Sequence, residues 1–490
     1  MRGLVRALRY TAAFAAGAAL AVPLAAATYL PISDAELTQR SPVVVRAHVD
    51  SVTARLETLG GKQLPMTVVA LEALEVLRGR LSESSFRLIL SGGRVGDRML
   101  WVPGTPSLQA GQEAILFLRP VRGRGGDFFL SEFGLSHFDI RSDSAGRRFA
   151  VRPVFSPEED AYVSKRPAVV TVSQPGSAPL LRDASSLAAA VKAIAAGRRA
   201  PEVLYARPTS GSPGVVGSIR PLWVNLGGPE PGNCGGTPPL PCQFRWFTDT
   251  GASPSGVVTV VGTQSNLSDG SNGTSGVQNA VTQWTAVPSS TVPYSGPVAS
   301  GNVSVQLDAP QSFDGGAAFS GPLPCGAGGV LGLGGTQNAS GPSGGYTFKG
   351  EANYFAMQNA IITMRKLTGG AGCYPLQEYE CAVLHEMGHT LGLGHPDQGT
   401  SKHSTTSPSD WVTAVMHSVL PPANPTKPQT DDIQAIQFYY GSFGSGSPTP
   451  TPTSPAGPTP TPTVGAPGPA RGHVTPLAFV TPKSSVNGRQ

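Results

Sequence analysis

The sequence predicts an α+β domain with a mixed twisted sheet and long helices, preceded by a small all-β domain and followed by a disordered tail. Between residues 41 and 153, apolar and polar residues alternate in short runs, which is typical of β-strands. Between residues 205 and 445, apolar residues at helical spacing recur among strand-like runs. From residue 446 to residue 490, Pro, Thr, Ser and Gly dominate, and such a segment cannot bury a core.

The first 27 residues have the pattern of a secretory leader. Arg2, Arg6 and Arg9 form a basic start, an Ala-rich apolar run follows, and residues 25–27 offer a small-residue cleavage site. An uncleaved membrane anchor is the alternative. Without the leader's three arginines the chain is nearly neutral, so its basic pI does not indicate a nucleic-acid partner. We therefore expect a secreted, extracellular protein without a membrane span once the leader is removed; the oligomeric state stays open.

The region from residue 28 to residue 200 is predicted to be β-rich. Its strand-like runs are residues 43–49, 66–76, 86–90, 114–118 and 128–133. Strands of this length and number favour a small barrel or sandwich, and we prefer an OB-like barrel. A helix is expected at residues 184–196, followed by the dibasic pair Arg198-Arg199, which is either a processing site or an exposed linker. The region could serve as an inhibitory propeptide or as a binding domain.

The region from residue 205 to residue 445 mixes both kinds of pattern. Strands are expected at residues 244–247, 257–261 and 303–307, and a helix at residues 277–284. Residues 329–334 are expected to form the edge strand of a cleft, with a mobile Gly-rich loop as the alternative.

Residues 381–397, CAVLHEMGHTLGLGHPD, carry the strongest chemical signal in the chain. His385 and His389 are four residues apart and leave the same face of a helix, with Glu386 beside them. Gly392 can end the helix in a left-handed turn that brings His395 back as a third nitrogen ligand. Three protein ligands leave one position of a tetrahedral Zn²⁺ open, as in catalytic sites. Zinc would activate water, and Glu386 would act as the general base.

The spacing His-Glu-x-x-His-x-x-Gly-x-x-His resembles the metzincin signature. Residues 414–417 resemble the Met-turn that lies beneath the metal in that family, with Met416 as its methionine. Residues 431–441 resemble the closing helix of matrixin-type metzincins. The resemblance implies a secreted zinc endopeptidase that acts on proteins or peptides and holds one catalytic zinc per chain. Calcium is also possible, although no residue pattern indicates it.

Four features differ from that family's pattern. No histidine lies between His137 and His385, so the second, structural zinc site of matrixins is not expected. No cysteine precedes Cys234, so the upstream cysteine that keeps many relatives latent is missing as well. Pro396 is closer to the serralysin branch, and Ser418 stands where some metzincins carry a tyrosine ligand.

The chain contains five cysteines. Export permits disulfides, and the short separations favour Cys234–Cys242 and Cys373–Cys381, which leaves Cys325 unpaired. Other pairings remain open.

Two further functions compete with the peptidase. One is an extracellular surface-binding or adhesive protein with a vestigial peptidase fold, against which the retention of Glu386 argues. The other is hydrolysis of a non-peptide amide, which the sequence does not distinguish from peptide hydrolysis.

Overall fold

A computed structural model describes residues 26–95, 98–100, 102, 104–153, 181–209, 243–340, 345–370, 372–396, 413–421, 423–441 and 451–452. Residues 1–25 of the predicted leader, the cysteines Cys234 and Cys242, and the tail beyond residue 452 lie outside these ranges. The described residues form an α+β structure in which strands far outnumber helices.

The helices and strands are named here in chain order. The helices are α1 (Asp34–Arg40), α2 (Ala184–Ala195), α3 (Thr274–Thr285), α4 (Leu376–His389) and α5 (Thr430–Tyr440), with short 3₁₀ helices at Phe133–Ser136 and Thr248–Thr250. The first strands are β1 (Ala26–Leu30), β2 (Val43–Leu59), β3 (Lys62–Arg78), β4 (Ser85–Leu90), β5 (Gly93–Val95), β6 (Arg98–Leu100), β7 (Glu113–Pro120), β8 (Asp127–Leu130), β9 (His137–Ser142), β10 (Arg148–Val151), β11 (Leu181–Asp183) and β12 (Tyr205–Ala206). The others are β13 (Gln243–Arg245), β14 (Gly256–Val261), β15 (Tyr294–Val298), β16 (Val303–Ala309), β17 (Leu323–Pro324), β18 (Gly329–Ser340), β19 (Tyr346–Phe348), β20 (Glu351–Arg365), β21 (Leu367–Thr368) and β22 (Thr451–Pro452).

Five strands of the first half close into a ring. Strand β2 pairs with β3, β3 with β4, β4 with β8, β8 with β7, and β7 with β2. Only the β4–β8 pair is parallel among these five pairings. Alternate residues of all five strands, such as Val45, Leu71, Leu88 and Leu116, fill the interior of this barrel. Strands β9 to β12 extend the sheet beyond β7.

The second sheet has the order β1-β18-β20-β16-β14-β15. Strands β20, β16, β14 and β15 run parallel to one another, whereas β18 is antiparallel to both β20 and β1. Helices α3, α4 and α5 contribute to the apolar core of this region, which includes Trp284, Val383 and Ile436. The strict alternation of β16, with Val303, Val305 and Leu307 fully buried, follows from one face packing on this core.

The barrel packs directly on the second sheet. Phe319, from the segment between β16 and β17, belongs to the same apolar cluster as Phe117 and Ile115 of the barrel. The buried carboxylate of Glu132 accepts hydrogen bonds from Arg365 Nη1 of β20 at 2.9 Å and from the Val330 backbone N–H of β18 at 3.1 Å. Apolar contact and buried ion pairs therefore join the two halves.

Strand β1 departs from the sequence-based division of the chain. Residues from 28 onward were assigned to the β-rich region, but Ala26–Leu30 pairs with β18 of the second sheet. A pairing partner about three hundred residues away leaves no periodic trace in five residues, which is why the sequence does not reveal it. Among the described residues, no helix is long and apolar enough to cross a membrane.

Candidate metal centre

Helix α4 carries the histidine motif and is fixed along its length by buried partners. Trp284 of α3 donates from Nε1 to the Leu384 carbonyl at 2.9 Å. At the end of the helix, the Thr390 carbonyl accepts from Trp246 Nε1 at 2.8 Å and from the Tyr294 hydroxyl at 2.7 Å. The two donors to Thr390 satisfy a carbonyl group that the helix end leaves without an intrahelical partner. The aromatic residues thus hold the histidine-bearing turn in place.

Gly392 forms the turn that returns the chain to the helix. Its φ of +94° lies in a region that side chains disfavour, and a Cβ at this position would collide with the Phe244 carbonyl oxygen. After this turn His395 comes back beside His385 and His389, as the spacing of the motif predicts.

The three histidines converge through their Nε2 atoms. The separations are 2.8 Å for His385–His389, 3.1 Å for His385–His395 and 3.1 Å for His389–His395. His385 Nδ1 lies 2.6 Å from the Val415 carbonyl oxygen, and His389 Nδ1 lies 2.7 Å from the Leu393 carbonyl oxygen. A carbonyl only accepts, so each of these Nδ1 atoms carries the proton and each Nε2 presents a lone pair inward. Inward lone pairs repel one another and fit a shared cation, so these three residues can hold a metal ion.

Burial also keeps these imidazoles in the form that binds metals. The pKa values of His385 and His389 lie well below the usual value, first because both rings are fully buried and then because they face other histidines. A neutral imidazole is the ligand that metals require.

Glu386 lies fully buried beside the histidines. Its Oε1 accepts hydrogen bonds from the backbone N–H of Thr28, at 2.9 Å, and from the Thr28 hydroxyl. Among the described residues no hydrogen-bond donor to Oε2 meets ordinary geometry. Burial raises the pKa of Glu386 to about 8, although the bonds from Thr28 and the Gly334 backbone act in the opposite direction. A carboxyl group whose pKa lies near neutral pH can both accept and donate a proton.

Glycines of β18 allow the strand to approach Glu386. A Cβ at Gly332 would lie 2.8 Å from Glu386 Cγ, and a Cβ at Gly334 would lie 2.7 Å from the Glu386 carbonyl oxygen. Both distances are too short for real side chains, so the glycines let β18 run along the helix at the histidines.

Met416 lies under the helix that carries the first two histidines. Its sulfur packs against Gly388, at the place where an added Cβ would overlap it. The buried carboxylate of Asp432 accepts from the backbone N–H groups of Val415 at 2.8 Å and Met416 at 3.1 Å. The Val415 carbonyl in turn accepts from His385, so the closing helix orients a histidine through this turn.

The disulfide expectation for this region is wrong. Cys373 bonds to Cys325, with 5.5 Å between their Cα atoms, and Cys381 is a free, buried thiol in the core cluster. Cys381 lies on a face of α4 that packs into the core, whereas Cys373 lies in the loop before the helix. Short separation along the chain favoured Cys373–Cys381, but the helix directs Cys381 away from that loop. The pair Cys234–Cys242 lies outside the described residues.

Sequence reasoning missed Thr28 as a residue of this site. Its only distinguishing feature in the sequence is that it follows the predicted leader cleavage site at Ala27. No known protein-family model matches the chain, and no curated protein sequence matches it.

Proposed function

We propose that this protein is a secreted zinc-dependent endopeptidase of metzincin type that hydrolyses peptide bonds in proteins or peptides. The observation that carries the proposal is the convergence of three inward-facing Nε2 atoms beside a buried carboxylate, Glu386. Imidazole suits several transition metals, and zinc with three protein nitrogens and one open position is the common catalytic form. Zinc bound here would act as a Lewis acid toward water and the scissile carbonyl.

The chain's own residues would contribute proton transfer and positioning. Glu386, with its pKa raised by burial, would take a proton from the attacking water and return it to the leaving nitrogen. Its Oε1 is already 2.9 Å from a backbone nitrogen, that of Thr28, which supports its reaching a leaving amine. An extended peptide could pair with β18 on one side and with residues 418–420 on the other, as β1 does.

The main test combines metal analysis with a single substitution. Wild-type protein and Glu386→Gln are both expected to hold one zinc per chain, because the glutamate is not among the three converging ligands. Glu386→Gln should lower hydrolysis of a generic protein substrate by about 10²- to 10⁴-fold, since it removes proton transfer. The exposed Glu83→Gln serves as the matched control.

Two results would contradict the proposal. One is a protein without metal, or one that keeps its metal after His385, His389 and His395 are all replaced by Ala. The other is hydrolysis that survives a chelator or proceeds at the wild-type rate in Glu386→Gln. A second candidate function is an extracellular surface-binding protein with a vestigial peptidase site. It is favoured by the pairing of β1 with β18 and with residues 418–420, where a substrate would otherwise pair. It predicts bound metal and no hydrolysis in any form of the protein.

A further inference from the structure

Strand β1 occupies the position that a peptide substrate would need. Its residues pair antiparallel with β18, with Thr28 opposite Gly332 and Leu30 opposite Gly329. On its other edge, the Tyr29 N–H donates to the Ser418 carbonyl at 3.1 Å, and the Leu420 N–H donates to the Tyr29 carbonyl at 3.1 Å. Backbone groups on both sides of the cleft are therefore used by the chain itself.

The contact with Glu386 places one peptide bond of β1 at the catalytic carboxylate. Both the N–H and the hydroxyl of Thr28 bond to Glu386 Oε1, and Ala27 and Thr28 are fully inaccessible to solvent. Through this contact, the bond between Ala27 and Thr28 corresponds to the scissile bond of a substrate whose nitrogen lies beside Glu386. The backbone nitrogen of Thr28 lies where the leaving nitrogen would be.

The barrel holds this strand from the opposite side. The Tyr29 side chain points away from Glu386. It belongs to the apolar cluster that also contains Phe117 of the barrel, and its ring stacks on Phe133 with 6.5 Å between the ring centroids. Its hydroxyl donates to the Gly104 carbonyl at 3.4 Å. Leu30, in contrast, belongs to the core of the second sheet. Residues facing both directions thus anchor the strand.

We infer that residues 28–30 are an intramolecular inhibitor, which fills the substrate cleft beside the metal centre and is held there by the barrel. This inference rests on the proposed peptidase function and supplies the latency device for which the sequence offers no cysteine. Cleavage after Ala27 adds the hydroxyl of water to the Ala27 carbonyl carbon and a proton to the Thr28 nitrogen. The mature chain then begins at Thr28. Its α-amine lies at Glu386, in the place that the newly formed amine of a cleaved substrate would take. Activation consists of withdrawing this strand.

The test is a substitution that loosens the strand without touching the metal centre. In the full-length mature protein, Tyr29→Ala removes the barrel anchor, and Tyr205→Ala in β12 is the matched control within the barrel sheet. A ligand binds only those molecules in which the strand has left the cleft, so its apparent affinity is reduced to that fraction of the intrinsic affinity. Tyr29→Ala should therefore bind a peptide hydroxamate at least about tenfold more tightly than wild type does. Its kcat/KM for a peptide substrate should rise by a similar factor. The milder Tyr29→Phe, which loses only the hydroxyl contact, should fall between wild type and Tyr29→Ala.

Hydrogen exchange gives a second measurement that needs no activity. The backbone amides of Tyr29 and Leu30 should exchange slowly in wild type, faster in Tyr29→Ala, and faster in wild type once the peptide hydroxamate is added. Equal hydroxamate affinity in wild type, Tyr29→Ala and Tyr205→Ala, with the amides of Tyr29 and Leu30 still protected when the hydroxamate is bound, would overturn the inference.

Failure of the inference can be told apart from failure of the peptidase proposal. If Tyr29→Ala holds zinc and hydrolyses peptide through Glu386, but no faster than wild type, the inhibitor is wrong and the peptidase stands. If Glu386→Gln does not abolish hydrolysis in the Tyr29→Ala background, the peptidase proposal itself is wrong. If wild type and the Tyr29 variants all hold zinc but hydrolyse no peptide, the hydroxamate affinity and the hydrogen exchange of β1 still decide whether the strand blocks the cleft.

Discussion

Helix α4 and strand β1 meet at one carboxylate, yet they are encoded in opposite ways. The three histidines that could hold a metal ion, and Glu386 beside them, lie within eleven consecutive positions, from His385 on α4 to His395 just after it. Strand β1, in contrast, contacts Glu386 through Thr28, across a separation of 358 residues, and its five residues carry no motif of their own. A local sequence motif is therefore enough to predict which residues form the site, whereas access to the site depends on strand pairing between distant parts of the chain.

The two regions also depend on different parts of the molecule. Helix α4 is held by aromatic residues of its own region, among them Trp284 and Tyr294. Strand β1 depends on the barrel and on the buried carboxylate of Glu132, which accepts from the Val330 N–H of β18 and pairs with Arg365 of β20. Changes near α4 should therefore alter metal binding and chemistry, and changes near the barrel should alter stability and access.

The largest effect on stability is expected from Glu132→Gln, on the β1 side of this contrast. Glu132 is 3% exposed and pairs with Arg365, also 3% exposed, and with Arg40. Gln can still accept from the Val330 N–H, but it leaves Arg365 as a buried charge without its counterion. Removing one partner of a buried pair costs about 3–5 kcal/mol of unfolding free energy. Urea unfolding of the full-length protein measures this difference.

The control for Glu132→Gln is Glu75→Gln. Glu75 forms ion pairs with Lys192 and Arg46 at the surface of the barrel, where its side chain is 31% exposed. Surface pairs contribute about 0–1 kcal/mol. Equal losses in the two variants would show that the barrel is not joined to β18 through a buried charge, and the contrast between the two regions would lose its basis.

A smaller effect is expected from Asp432→Asn, on the α4 side. Asp432 accepts backbone hydrogen bonds from Val415, Met416 and Gln429, and the single oxygen of Asn cannot replace all three. An unsatisfied buried donor costs about 1–3 kcal/mol. Zinc affinity should fall as well, because the Val415 carbonyl orients His385. Metal competition and urea unfolding measure the two losses.

The same carboxyl group predicts a pH dependence. Burial and the neighbouring Asp431 raise the pKa of Asp432 to about 7, against an ordinary value of 3.8. Between these pH values the folded state binds the proton and the unfolded state does not. The contribution of protonated Asp432 to the free energy of unfolding is therefore complete below about pH 4 and is lost as the pH rises through 7. The free energy of unfolding falls by up to about 1.4 kcal/mol per pH unit in this range. Asp432→Asn should lack this slope, and a wild-type–variant difference that is constant from pH 5 to pH 7 would contradict the assignment.

Much of the fold could be predicted because its signals are local. Alternation located the barrel strands, and helical spacing located α2, found at Ala184–Ala195, and α5, found at Thr430–Tyr440. The place of His395 followed from the need for a left-handed turn at Gly392. These features depend on residues within a few positions of one another, so single-sequence patterns contain them.

What could not be predicted depends on contacts between distant segments. The pairing of Cys325 with Cys373 requires two loops to meet, and sequence separation pointed instead to Cys381. The pairing of β1 with β18 requires the barrel to dock on the second sheet. In both cases the packing of whole elements determines the contact, and no local pattern in the sequence reports it.

The smallest effect on the free energy of unfolding is expected from Met416→Leu, which tests the packing beneath α4. Met416 is 2% exposed and packs against Gly388, between the first two histidines of the helix. Leu has nearly the same volume, and such exchanges cost less than about 1.5 kcal/mol, whereas Met416→Ala should cost about 2–5 kcal/mol. One zinc per chain should remain in Met416→Leu, because the sulfur is not among the converging ligand atoms.

A double-mutant cycle with Gly388 decides whether this contact is the one that matters. A Cβ at Gly388 would overlap the Met416 sulfur and lie 2.9 Å from Trp284 Cζ2, so Gly388→Ala should destabilise the wild-type protein. In the Met416→Ala background the space beneath the helix is open, and the same substitution should cost less, with a coupling of about 0.5–3 kcal/mol. Equal costs of Gly388→Ala in both backgrounds would show that Met416 does not support the helix at this point. The methionine would then be ordinary core filler, and the turn that contains it would be tied to the metal centre only through Val415.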